Sequence, residues 1–429
     1  MHRNGLVRTA AFAALACAGL VATARAGEAV SQSAPAPAAS SALSLSQPVY
    51  LQDTARTPLM GLLDQAGIVG PLDEAKISLY GWVEGSYTHS FDGPPGNFIT
   101  GRVFDVEHED PTLNQLVLVA ERTVDDALTK GQFDVGARVE WMWGGDARFI
   151  HSVGLFDHYG FGEGPDNQWD LTQAYFDVAV PVGNGLRVRA GKFVTPIGFE
   201  VINPTANYLY SHSFLFGYAI PFTHTGVLGT YKFSDELTVT GGITRGWDTS
   251  LEDNNDTIDF LGSASLTVSD KTTVTLSLVT GPDQPGNNDD WRTLVDLIVQ
   301  HKLSDELTVA LNADYAYEED SVSSVDGSTA QWFGAAVYAS YVVSPMVTVN
   351  ARGEYFNDDD GARLTGAVGG TSVWEATLGL AITPLPEHQY GKNLVIRPEV
   401  RFDYANKGFF DAGTDHSQFT AAIDAIYKF

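Results

Sequence analysis

The sequence is poor in cysteine, in basic residues and in long apolar runs, and each shortage closes off a class of protein. Its one cysteine, Cys17, lies in the first segment of the chain, so neither a disulfide framework nor a cysteine metal site can be built. Lys and Arg number 25 against 53 Asp and Glu, a formal charge of −28. Nucleic acid is excluded as a partner, because its phosphates need a basic surface. Beyond the first segment there is no apolar run of about 18 residues, so no α-helix is expected to span a bilayer. The histidines are dispersed, with no HExxH and no GxSxG motif, so no metal, no cofactor and no enzymatic activity is expected. His224, between Thr223 and Thr225, could be imagined as the base of a lipase or protease. A hydrogen-bonded structural role suits it better, since no serine or acid partner can be nominated.

Met1 to Ala26 combines a basic start (Arg3, Arg8), an apolar run from Thr9 to Val21 and a small-residue exit at Ala24-Arg25-Ala26. This is the pattern of a secretory signal peptide over residues 1–26, cleaved before Gly27. Residues 27–56 open with an Ala/Ser/Pro-rich stretch that cannot bury a core, which predicts a disordered periplasmic linker. Residues 57–75 are predicted to be a short helical periplasmic segment, with Thr57 as cap and Pro58 at the first helical position.

Residues 76–429 are organised by a turn. Ser234-Asp235-Glu236, Ser269-Asp270-Lys271, Ser304-Asp305-Glu306 and Ser344-Pro345-Met346 place their serines 35, 35 and 40 residues apart, and the first and third sit in near-copies, FSDELTVT and LSDELTVA. Two alternating runs of about 9 to 11 residues lie between successive turns, the length of a tilted membrane strand. Every second connection is long and rich in Asp, Asn and Gly. Period-two reading from Ile77 onward predicts sixteen such strands, the last from Phe419 to Phe429. The fold expected is all-β, a transmembrane antiparallel up-and-down barrel with short periplasmic turns and long external loops.

Alternation also assigns faces. If apolar residues meet lipid, the inward acids are Glu84, Glu121, Asp134, Glu140, Asp177, Asp259, Asp296, Asp314, Glu354, Glu375, Glu399, Asp403 and Asp424, and the inward bases are Arg138, Arg187, Arg189, Arg292, Arg352, Arg397 and Arg401. Opposed charges lining a channel set a field that selects ions. The alternative is that neighbouring strands pair these charges to keep a wet interior satisfied. Aromatics near strand ends, such as Tyr87, Trp141, Tyr231, Phe233 and Tyr427, can form two interface girdles.

The third long connection, Val194 to Ile220, differs from the rest. It is aromatic and nearly uncharged, with Phe199, Tyr208, Tyr210, Phe214, Phe216 and Tyr218, and Glu200 is its sole acid. Such a loop is a poor extracellular surface, which predicts that it folds inward as a constriction and presents aromatic faces to solutes. Packing over a neighbouring subunit or lipid is the alternative. The other loops are acidic, for example Glu252 to Asp256 and Asp358 to Asp360. None has the spacing of a dedicated calcium loop, and their charge predicts weak cation selectivity.

Tyr80 to Thr88 (YGWVEGSYT), Ala190 to Asn203 (AGKFVTPIGFEVIN) and Pro221 to Tyr231 (PFTHTGVLGTY) resemble the OmpL-like β-barrel porins. The likeness covers residues 57–429, and it implies an outer-membrane pore for small solutes without fixing a substrate or supplying binding residues. The closing strand, with Tyr427 two residues before a terminal Phe429, resembles the C-terminal assembly signal of bacterial outer-membrane proteins. The partners implied are outer-membrane lipid, small hydrophilic solutes or ions, and the barrel assembly machinery. A homotrimer is expected by analogy of fold. A structural or adhesin barrel displaying acidic loops is the rival reading, and an outer-membrane lipase or protease a weaker one.

Overall fold

The computed structural model describes residues 56–159, 164–321, 328–364 and 370–429. The predicted signal peptide and nearly all of the predicted linker lie outside the described residues. Sixteen strands follow: β1 (Ser78–Ser90), β2 (Thr112–Arg122), β3 (Asp134–Gly144), β4 (Gln168–Val180), β5 (Leu186–Val194), β6 (Thr223–Lys232), β7 (Leu237–Thr244) and β8 (Asp259–Ser269). The second half comprises β9 (Thr272–Pro282), β10 (Trp291–Lys302), β11 (Leu307–Glu318), β12 (Ala330–Ser344), β13 (Val347–Asp358), β14 (Thr371–Ile382), β15 (Leu394–Ala405) and β16 (Ser417–Lys428).

Each strand pairs antiparallel with its sequence neighbours, and β1 pairs with β16, so the sheet closes on itself and leaves no edge. The seam is finished by Phe429, which exchanges two backbone hydrogen bonds with Gly81 at 2.9 and 3.0 Å. A Cβ at Gly81 would lie 2.0 Å from the Val117 carbonyl and 2.8 Å from the Phe429 ring, so the closure needs glycine there.

The repeated turn is a repeated structure. After β6 and after β10 the amides of Phe233 and Leu303 each donate to a carbonyl four residues on, that of Leu237 or Leu307, at 2.8 Å. The Ser234 hydroxyl donates to Glu236 at 2.7 Å and accepts the Leu237 amide at 3.2 Å; Ser304 does the same with Glu306 and Leu307 at 2.9 and 3.1 Å. Local side-chain bonds of this kind make the turn self-sufficient. Two connections at the same end are longer than expected, because 123–133 and 383–393 carry helical turns at Asp125–Thr129 and Gly391–Asn393.

Before the barrel, α1 (Pro58–Gln65) starts as predicted, with the Thr57 hydroxyl accepting the Met60 amide at 3.4 Å, and α2 (Gly70–Ala75) follows. Thr57 also donates to the Leu79 carbonyl at 3.0 Å, and Gln65 to the Tyr390 hydroxyl at 3.1 Å. Both contacts tie the helices to the short-turn rim.

Outside, Leu118, Val139, Phe176, Val227, Ile243, Leu276, Val337 and Leu378 stand exposed, the apolar band of a membrane barrel. The buried core is inside. Trp82, Val119, Met142, Phe193, Leu261, Val279, Leu294, Trp332 and Phe356 from the strands form one cluster with Ile197, Tyr208, Phe214 and Phe216. Sixteen strands alone would enclose a water-filled lumen; here residues 195–222 fill its middle.

Candidate functional site: a segment crossing the lumen

β5 delivers the chain into the lumen and β6 takes it out again, and between them a turn at Pro204–Ala206 and a single π-turn at Leu215–Ala219 bend the segment back. Its backbone would be left unsatisfied inside a barrel, so the wall supplies partners. Glu354 accepts the amides of Phe214 and Leu215 at 2.8 and 2.7 Å, and Glu399 those of Tyr210 and Ser211 at 2.8 and 3.1 Å. Arg352 donates to the Ser211 carbonyl at 2.7 Å while bridging Glu200 at 2.6 Å and Glu375 at 2.8 Å. Arg397 reaches the carbonyls of Pro204 and Asn207 at 3.1 and 2.9 Å and pairs with Asp424 at 2.7 Å and Glu84 at 3.2 Å. Arg401 donates to the His212 carbonyl and holds Asp403 at 2.8 Å. Hydrogen bonds to charged partners are the stronger kind, about 1.5 to 3 kcal/mol each, so they hold the segment against β13 and β15, with Asp424 of β16 supporting Arg397.

The aromatic residues predicted for this segment are all brought in. The Phe199 amide donates to Asn312 at 3.0 Å, and its ring lies 4.5 Å from Tyr338 and 5.5 Å from Tyr208. Tyr208 offers its carbonyl to Asn350 at 2.8 Å, and the Tyr210 hydroxyl donates to Ser86 at 2.7 Å. The Arg401 guanidinium lies 5.1 Å from the Phe214 ring, Phe216 packs 4.2 Å from His212, and the Tyr218 carbonyl accepts from Arg363 at 2.6 Å. Burial pushes the His212 imidazole down to about 4, so it sits neutral. Burial works against the charge of Glu200, yet Arg352 and the Ser213 amide beside it hold its carboxyl below the usual range.

Five more of the assigned charges form a second group near the short-turn end and stay partly exposed. Arg138 lies between Glu121, at 3.3 Å, and the buried Glu140. Arg189 pairs with the buried Asp177 at 2.9 Å and lies 3.8 Å over the Tyr175 ring. Arg187 meets Asp125, and Asp134 is held by Arg122 at 2.9 Å. Asp259, Arg292, Asp296 and Asp314 belong to neither group: Arg292 pairs with Asp283 and Glu318, while Asp259 is buried with neither oxygen partnered among the described residues.

Alternation missed three bases. Arg102, from the first long connection, reaches Asp403 and Thr420 at 2.9 Å each, and Arg363 comes from the seventh. Lys192, buried against Asp170 at 3.4 Å, follows Gly191, whose φ of 134° breaks the extended backbone, so that Lys192 and Phe193 are both buried. A glycine within a strand was the available signal for that break. His224 is a strut: its ring nitrogens lie 3.2 Å from the Gly246 carbonyl and 3.2 Å from the Thr195 hydroxyl. His89, His108 and Glu109 meet at the opposite rim with ligand atoms within 4.8 Å. However, His108 Nδ1 accepts the Ser90 amide at 3.0 Å, so its Nε2 carries the ring proton and the cluster reads as hydrogen-bonded.

A closed antiparallel barrel with an apolar exterior, a charged interior and an inward-folded third connection defines a transmembrane β-barrel of the porin type. The chain belongs to the beta-barrel porin-2, OmpL-like family, whose profile matches residues 76–429, and it is accordingly a barrel of the bacterial outer membrane. No curated protein sequence matches it significantly. Among solved structures it is similar in fold to the outer membrane channel DcaP of Acinetobacter baumannii, with 14% identity, a TM-score of 0.54, and 82% of this chain and 97% of that one covered. The anion-selective porin from Comamonas acidovorans gives 11% identity and a TM-score of 0.54 over 82% and 99% of the two chains. OprB of Pseudomonas putida gives 11% and 0.54 over 85% and 97%.

Proposed function

We propose that this barrel is a passive diffusion channel for small hydrophilic solutes, weakly cation-selective, with residues 195–222 as its constriction. The observation that carries the reading is the crossing segment, held in mid-lumen by charge-assisted bonds to β13 and β15. Thr244, Leu261, Val279 and Leu294 are buried, while Thr230, Thr238, Thr240, Ser263 and Thr275 stay partly exposed. Solutes pass along this hydroxyl face, beside the fixed segment. Glu121, Asp134, Arg138, Arg187 and Arg189 line the pore, and the buried arginines serve to hold the constriction. The acidic loops and a formal charge of −28 enrich cations at the mouth.

Outer-membrane lipid covers the apolar band, the assembly machinery reads the strand ending at Phe429, and a homotrimer is the assembly to test by crosslinking. The helices α1 and α2 lie on the periplasmic side. Planar-bilayer conductance of the purified protein in a salt gradient, with liposome swelling by graded sugars, tests the reading. Cation-favouring reversal potentials and swelling are expected. The filled lumen favours one rival, a closed structural barrel, which neither conductance nor swelling would accompany.

A further inference from the structure

One row of inward side chains runs Thr230, Thr240, Ser263, Ser277, Asp296, Asp314 across β6 to β11, each residue the direct cross-strand partner of the next. Its hydroxyls bond in pairs, Thr230 with Thr240 at 2.9 Å and Ser263 with Ser277 at 3.2 Å. The row ends on two carboxylates side by side, Asp296 fully buried and Asp314 only 4% exposed. Asp296 Oδ2 accepts from the Asn312 side chain. Asp296 Oδ1 and both oxygens of Asp314 have no hydrogen-bond partner among the described residues.

Most acids elsewhere in the lumen have companions; Asp259 on β8 is buried with neither oxygen partnered among the described residues, but its cross-strand partner is Thr244 rather than a second carboxylate. Asp177, Glu375, Asp403 and Asp424 each face an arginine, and Glu354 and Glu399 take backbone amides. Among the described residues no lysine or arginine pairs with Asp296 or Asp314. Two like charges out of water and in cross-strand contact are strongly unfavourable unless a cation or a shared proton joins them. Hard divalent cations take carboxylate oxygens, and magnesium binds through one or two carboxylates while keeping waters.

We propose that Asp296 and Asp314 hold a hard divalent cation, magnesium or calcium, through these three unpartnered oxygens. The ion would also brace the constriction, because Asn312, which donates to Asp296, accepts the Phe199 amide at 3.0 Å. The site is a property of the barrel wall, and it stands whether or not the barrel conducts.

The test uses the full mature chain folded into detergent micelles free of lipopolysaccharide, stripped with EDTA and dialysed against MgCl2 or CaCl2 at constant ionic strength. Bound metal is counted by atomic emission and stability is read by thermal melting. One more metal equivalent is expected in the wild type than in Asp296→Asn or Asp314→Asn, with a rise in melting temperature of several degrees that both variants lose. Asp289→Asn, in an exposed acidic loop, should keep both effects. Equal metal content in wild type and both variants overturns the proposal. So does a wild type whose melting ignores metal, the result expected if the two carboxyls share a proton; this arm needs no variant to fold.

Discussion

The two walls that face each other across the lumen use the same alternation and do opposite things with it. On β13, β15 and β16 the inward positions carry Arg352, Glu354, Arg397, Glu399, Arg401 and Asp424, all buried, and most reach the crossing segment as well as one another. Along the middle of β6 to β9 the inward positions carry Thr230, Thr240, Ser263 and Thr275, uncharged and partly open, and a charge comes with Asp259 at the start of β8. Charge therefore sits where a loop must be held, and neutral hydroxyls where space is left. Desolvated ion pairs contribute less to net stability than their number suggests, but removing one partner is costly. Their use here is to fix one position for a segment with little regular structure.

Deleting Ala206 to Phe216 should abolish the contrast and give the largest effect, a several-fold rise in single-channel conductance; an unchanged conductance would reject the constriction. Arg352→Met leaves Glu200 and Glu375 without their shared partner. It should cost about 3–5 kcal/mol, seen as a lower temperature for loss of the heat-resistant folded band on gels.

Acid should act on the same wall. His212 titrates at about 4 in the folded barrel against about 6.5 in the unfolded chain. The neutral ring is the one the fold accommodates, so stability is full above about pH 6.5 and declines as pH falls toward about 4, by roughly 3 kcal/mol at most. Melting in detergent across that range should show the decline, and His212→Gln should flatten it. Thr240→Val, on the hydroxyl wall, removes one neutral hydrogen bond and should cost only about 0.5–1.5 kcal/mol. Its clearer consequence should be slower liposome swelling with sugars; an effect on stability matching Arg352→Met would erase the distinction between the walls.

The extent to which the chain could be read in advance varied by element. All sixteen expected strands are present, the last within two residues of its predicted bounds, Phe419 to Phe429, because a half-buried strand repeats every two residues and each segment carries its own signal. The Ser-Asp-Glu turns were equally legible, being closed by their own side chains. Two connections hid helical turns, and Lys192 was missed because Gly191 interrupts the alternation. The inward-folding aromatic segment was legible from its lack of charge, although nothing in it indicated Glu354 or Glu399 as partners.

By itself the sequence determined the barrel, its strand count, its two faces and the odd character of the third connection, since all of these are written in neighbours two residues apart or in local composition. Only the tertiary structure decided which inward residues are covered and which remain open, that Arg102 and Arg363 enter from loops, and that Asp296 and Asp314 stand without a counter-charge. Those outcomes depend on contacts such as Arg352 to Glu200 and Arg397 to Asn207, which join residues more than a hundred positions apart, where no local periodicity can reach.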